Sequence, residues 1–331
     1  MKHKLLISFL LLLAPCSLPL HAQLLTPENQ VIALRHIIEQ TYDQQQREAA
    51  LKLMANAGTY QALTYATSLL NDESIAYTAA HTIWTILSNH PEYNGTETRQ
   101  TLKDIMPMLK AGQRSQARAW LNSADPNEEG FVCLFNGKNL DGWKGLVENP
   151  IARAKMTGEQ LAEAQKKADE LMKKDWIIEN GDLVYIGNGW DNICTVKNYA
   201  DFELLVDWRL DPNGKEPDAG VYLRGAPQVQ IWDIRRTNVG AQVGSGGLYN
   251  NQKNPSKPTI VEDNKLGEWN TFRIIMKGEK VTVWLNGVKV VDDVVLENYW
   301  DRKQPIFPCD QIEMQAHGSR CYFRNIYVKE L

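Results

Sequence analysis

Two places in the sequence carry residue types suited to chemistry: the stretch Gln228-Val-Gln230-Ile-Trp-Asp233 and the histidine His317. If the stretch is a strand, period-two alternation puts Gln228 and Gln230 on one face, and a bulge can return the third position to it. Retaining glycosidases need two carboxyl groups about 5–5.5 Å apart, one as nucleophile and one as acid. Two amides cannot fill those roles. His317, in Gln315-Ala-His-Gly-Ser319, is the lone histidine after residue 130. An imidazole titrating near about 6.5 exchanges protons at neutral pH, so His317 is the candidate base or acid; the competing reading is a turn histidine bonded to a loop carbonyl. Asp233 is the alternative base or a metal ligand, or else a turn acid at a strand end. Arg224 and Gln230 are candidates to donate hydrogen bonds to substrate oxygens.

Further candidate sugar contacts are Gln228, Gln315, Asp218 after Pro217, Trp143, Trp190 and Tyr249, with Lys144 beside Trp143. Indole faces stack on sugars, but most such rings belong to cores; a solvated side chain is the better account of Lys144 and Tyr249, and a turn cap a slightly better one of Asp218. There is no glycine-rich phosphate loop, no G-x-S-x-G and no H-E-x-x-H. One histidine excludes a three-histidine metal site within this half. No cofactor is implied, and a divalent cation stays open. The net charge of -4 without Lys/Arg runs excludes nucleic acid as a partner.

The elements that must position these residues divide the chain in two. Of the 22 glycines, Gly58, Gly95 and Gly112 alone precede residue 130. Stripes such as Val31/Leu34/Ile37/Ile38 and Ala79/Ala80/Ile83/Trp84/Leu87 predict a small all-α domain over 23–122, built of helical hairpins in a HEAT-like array and a candidate dock for another protein. Residues 123–130 read as a polar linker. From 131 to 331 the period becomes two, as in Phe202–Leu210, and Asn286-Gly287 marks a hairpin. Many short antiparallel strands predict a β-sandwich of jelly-roll type. One helix interrupts them at about 157–174, opened by the capping box Thr157-Gly-Glu-Gln160.

Residues 1–22 have the layout of a secretory signal peptide: Lys2 and Lys4, then the apolar run Leu5–Leu13, then Leu20-His21-Ala22. A lipid anchor at Cys16 is the weaker alternative, because Pro15 precedes it. No later run approaches the ~20 apolar residues of a membrane span. The expectation is an exported protein, periplasmic or extracellular. Four cysteines remain after the leader, with no C-x-x-C spacing and no pairing that sequence can choose.

The spacing of Gln228, Gln230 and Asp233 resembles the E-x-D-x-x-E strand of laminarinase-like glycosidases, which are concanavalin A-like jelly rolls. A wider resemblance rests on Gly130–Trp143, Trp176–Leu183, Ala219–Arg224, Gln228–Asp233, Gly267–Asn270, Leu285–Gly287 and Phe323–Ile326. In that order, across about 130–331, these segments resemble the 3-keto-disaccharide hydrolase family. Many members carry glutamate at Gln228 and asparagine at Asp218. The resemblance implies a concanavalin A-like lectin/glucanase fold and an oligosaccharide or glycoside substrate whose 3-hydroxyl is already a ketone. Such a substrate is cleaved by abstraction of the C2 proton and elimination or hydrolysis at C1. A non-catalytic carbohydrate-binding module, and an ordinary glycosidase using loop carboxylates such as Glu148 or Asp191, remain as alternatives.

Overall fold

The computed structural model describes residues 25–331; the expected leader and Cys16 lie outside the described residues. The described chain forms two compact units that divide between Phe131 and Val132.

The first unit is helical: α1 (Pro27–Gln40), α2 (Gln44–Ala57), α3 (Tyr60–Ser68), α4 (Ala76–Asn89), α5 (Thr96–Ile105) and α6 (Ala111–Ser123). Local chemistry sets the starts. The side chains of Thr26, Asp43 and Thr59 accept the backbone N–H groups of Asn29, Gln46 and Ala62, donors that the helix cannot satisfy itself. Leu34, Met54, Ile83 and Leu102 bury the apolar stripes in a core of the unit's own.

Residues 125–131, expected to be linker for the most part, fold onto this unit. Arg99 donates to the carbonyls of Asp125 at 2.8 Å, Glu128 at 2.9 Å and Pro126 at 3.1 Å. The Gly95 and Gly130 backbones touch, and a Cβ on Gly130 would come within 2.5 Å of Gly95 Cα. The polar, glycine-bearing composition serves a close-packed turn here.

The second unit holds two antiparallel sheets. The larger contains β1 (Val132–Cys133), β3 (Trp176–Glu179), β4 (Asp182–Tyr185), β6 (Phe202–Leu210), β9 (Asn270–Lys277), β10 (Lys280–Leu285), β11 (Val288–Val295) and β13 (Cys321–Glu330). The smaller runs β2 (Trp143–Gly145), β5 (Ile193–Thr195), β12 (Glu313–Met314), β7 (Asp218–Leu223), β8 (Ala226–Trp232). Both sheets bury a face in one cluster, with Phe272 and Ile274 from the larger and Val221, Val229 and Ile231 from the smaller. Val132 pairs with Val328, so the first and last strands of the unit lie side by side. Asn286 and Gly287, at φ 51° and 84°, make the tight turn between β10 and β11.

Two helices lie between β2 and β3: the short α7 (Pro150–Arg153) and the longer α8 (Gly158–Asp175). The capping box is formed, with Thr157 and Gln160 exchanging side chain–backbone bonds. α8 is fastened to β2 through Gly145, whose N–H donates to Asp169 at 2.9 Å and whose carbonyl accepts from Gln165 at 2.8 Å. A Cβ at Gly145 would sit 2.1 Å from the Ala168 carbonyl oxygen. Cys133, Cys194, Cys309 and Cys321 are free thiols. Among the described residues no helix is long and apolar enough to cross a membrane.

Candidate functional site

A cleft of about 430 Å³ opens on the face of the smaller sheet away from the core, within the usual range of ~300–1,000 Å³ for small-molecule sites. Alternation builds its floor. Val229 and Ile231 of β8 point into the core, so Gln228, Gln230 and Trp232 point into the cleft; on β7, Ala219, Val221 and Leu223 do the same for Asp218, Gly220 and Tyr222. Gly220 matters for what it lacks. A Cβ there would lie 2.9 Å from Gln315 Oε1 and 3.1 Å from Gln228 Cδ, so a side chain would push both amides aside.

The buried polar groups form a directed chain. The Gln228 amide donates to Gln230 Oε1, and Gln230 Nε2 donates to Asp218 Oδ1 at 2.7 Å. The other Asp218 oxygen, Oδ2, faces the Arg236 guanidinium at 3.3 Å and His317 Nδ1 at 3.9 Å. The second distance exceeds hydrogen-bond length, and His317 Nδ1 has no partner of its own. Burial raises the Asp218 carboxyl above its ordinary range, against the opposing pull of His317, Gln230 and Arg236. Trp190, 64% exposed, meets the His317 ring edge to face, with centroids 4.9 Å apart and planes at 84°. Gln315 completes this wall; its N–H donates to Gly220 O at 2.9 Å.

The segment Gly244–Asn250 forms the opposite wall. Gln230 N and O bond to Gly247 O at 2.9 Å and Gly246 N at 2.8 Å, which lays the segment along β8 like a further strand. The segment brings Tyr249 against Trp232.

Of the candidates, the cleft gathers Asp218, Gln228, Gln230, Tyr249, Gln315 and His317, with Trp190 against His317. Four others lie elsewhere. Arg224 and Gly225 form the two-residue turn between β7 and β8, at φ 51° and 69°. The Arg224 side chain is 2% exposed and bonds to Ala200 O at 2.5 Å, Gly278 O at 2.7 Å and Asp201 Oδ1 at 2.6 Å. It ties loops together and reaches no cleft. Asp233 turns back onto Arg235, bonding its N–H at 3.0 Å and its Nε at 2.9 Å. Burial works to raise that carboxyl, but the Arg235 bonds hold it below its usual range. It lines a separate crevice of about 20 Å³, room for one water. Trp143 is a core residue whose Nε1 donates to Leu134 O at 2.6 Å. Lys144 pairs in register with Cys194 on β5, outside the cleft. Glu148 and Asp191, the loop carboxylates, do not line it either.

Sequence reasoning missed Arg236, Tyr222, Tyr299 and Trp300, all of which line the cleft. The adjacent pairs Arg235-Arg236 and Tyr299-Trp300 were the available signals. Among the described residues no group of three or more His, Cys, Asp or Glu side chains converges as a cation site. Arg236 already places a positive charge against Asp218.

These features define a two-sheet antiparallel β domain with one polar cleft, carrying one carboxyl and one imidazole. Residues 130–329 match the family model of the 3-keto-alpha-glucoside-1,2-lyase-like domain, and the chain belongs to that family. It is 22% identical over 254 residues to a 3-keto-disaccharide hydrolase of Bacteroides thetaiotaomicron, covering 61% of this chain and 79% of the relative. Among solved structures, two proteins of Parabacteroides distasonis given a provisional glycosyl hydrolase assignment are similar. One is 23% identical with a TM-score of 0.42, covering 61% of this chain and 94% of the other. The second is 22% identical with a TM-score of 0.43, covering 61% and 100%.

Proposed function

We propose that the β unit cleaves glycosides whose 3-hydroxyl has been oxidised to a ketone. The observation that carries this reading is the single carboxyl of the cleft, Asp218, set beside its single imidazole, His317, with amides on neighbouring positions. That set suits proton transfer and lacks the paired carboxylates of double displacement. The family, and the relative's description as a 3-keto-disaccharide hydrolase, support it.

In the proposed reaction the C3 ketone acidifies the proton on C2. His317 removes that proton, and Asp218 favours the imidazolium that forms. Negative charge gathers on the C3 oxygen, where Arg236 and the Gln228 and Gln315 amides offer positive ends. The bond between C1 and the glycosidic oxygen then breaks, its electrons leaving with the aglycone, which takes up a proton. Water adding afterwards at C1 makes the net result hydrolysis. We read the β unit as a jelly roll of concanavalin A-like type and the helical unit as a HEAT-like scaffold for another protein. The leader supports export to the periplasm or beyond.

The test is turnover of a 3-keto-glucoside in deuterated water, with the parent glucoside as control. Aglycone release from the keto form, with solvent deuterium entering at C2, is the expected result. Robust hydrolysis of the unoxidised glucoside would overturn the mechanism, and binding without turnover of either would leave a carbohydrate-binding module.

A further inference from the structure

The cleft is chemically lopsided. Asp218, Arg236 and His317 cluster where β7 begins and β8 ends, since Asp218 pairs with Trp232. Toward the β7–β8 turn the lining changes to Tyr222, Pro227, Tyr299 and Trp300, with no formal charge among them. Tyr222 is a phenol whose burial raises it further above neutrality.

Tyr299 and Trp300 are 42% and 36% exposed, yet they are firmly held. Trp300 Nε1 donates to the turn carbonyl of Gly225 at 2.7 Å, and Trp300 N to Asn298 Oδ1 at 3.0 Å. The Arg302 guanidinium covers the Tyr299 ring at 5.2 Å and donates to Asn250 O at 2.8 Å. The two rings stand at 86° with centroids 4.8 Å apart, making a corner. Their freedom is already lost while a third or more of each residue still faces water, so a ligand that covers the exposed part meets little further ordering cost.

We propose that the Tyr299–Trp300 corner is the aglycone subsite and that it selects an uncharged aromatic aglycone over a second sugar. This rests on the reading that Asp218 and His317 mark the reacting end. A flat ring in the corner stacks on one ring and meets the other edge-on, the two arrangements that aromatic pairs prefer. A second sugar would bring several hydroxyls against the Pro227 ring and the Trp300 indole, whose N–H is already given to Gly225 O, leaving two phenols and the Gln228 amide to answer them; each hydroxyl left unpaired is costly to bury.

Methyl, benzyl and glucosyl 3-keto-glucosides, all with alkoxide leaving groups, test it through kcat/KM. The benzyl compound should lead both others, and Trp300→Ala or Tyr299→Ala should cut its lead over the methyl compound by about three- to tenfold, whereas Trp300→Phe should keep most of it. A second arm needs no turnover: calorimetric binding of the unoxidised benzyl, methyl and glucosyl glucosides to the full chain and the same variants. If no keto compound is cleaved but benzyl binding still leads and depends on Trp300, the mechanism has failed and the subsite stands. A glucosyl preference in either arm, or variants that weaken all three ligands equally, overturns the subsite.

Discussion

Asp218 sits where burial raises its carboxyl while Gln230, Arg236 and His317 pull the other way. A carboxyl so balanced shifts its charge when its neighbours change, which is what a partner to a proton-transferring imidazole requires. Replacing His317 with Ala, or Asp218 with Asn, should lower kcat on a 3-keto-glucoside by about 10²–10⁴, with deuterium entry at C2 falling in step. Turnover at the wild-type rate in both variants would remove the pair from the mechanism. His317 and the two amides stood out in the sequence because His317 is the lone histidine after residue 130 and the glutamines alternate on one strand face. Arg236 did not, because what makes it part of the cleft is an ion pair across 18 residues of chain. Arg224 and Asp233 show the converse: a plausible residue type says nothing about whether a loop carbonyl or an adjacent arginine has already claimed it.

At the scale of elements, the patterns that needed only neighbouring residues were legible. β6 spans Phe202–Leu210 and α8 starts at its capping box, because alternation and caps are local properties. The fastening of α8 was not legible, since Gly145 is defined by what lies above it. Gly145→Ala must move the Ala168 backbone and should destabilise the β unit by about 1–3 kcal/mol in denaturant melts, while its folded fraction keeps its kcat. β12 makes a second prediction. Glu313 is 1% exposed, one of its oxygens is unpartnered, and burial raises its pKa from 4.5 to about 8. Between those values the unfolded chain has lost this proton and the folded chain keeps it, so stability falls as pH rises through the window and levels off above about pH 8. The Tm of wild type should therefore drop between pH 5 and pH 8 more than that of Glu313→Gln; parallel profiles would show that Glu313 titrates normally.

Over the whole molecule, glycine density told the two units apart, because β turns need left-handed residues and helices avoid them. It could not show that residues 125–131 fold with the helices through Arg99. A truncation should begin at Val132, since one beginning near Asp125 would carry a segment stripped of its partners. The 132–331 fragment is expected to fold and to turn over a 3-keto-glucoside at close to the full chain's rate. A folded but inactive fragment would bring the helical unit into the chemistry. The pairing of Val132 with Val328 reaches further than truncation. A unit whose two ends meet has no preferred place to begin. Joining Leu331 to Val132 through a short glycine linker and reopening the chain in the exposed Asp211–Glu216 turn should give a circular permutant that folds. For the same reason the unit is a cassette: another protein can receive it between two neighbouring residues without either end having to travel.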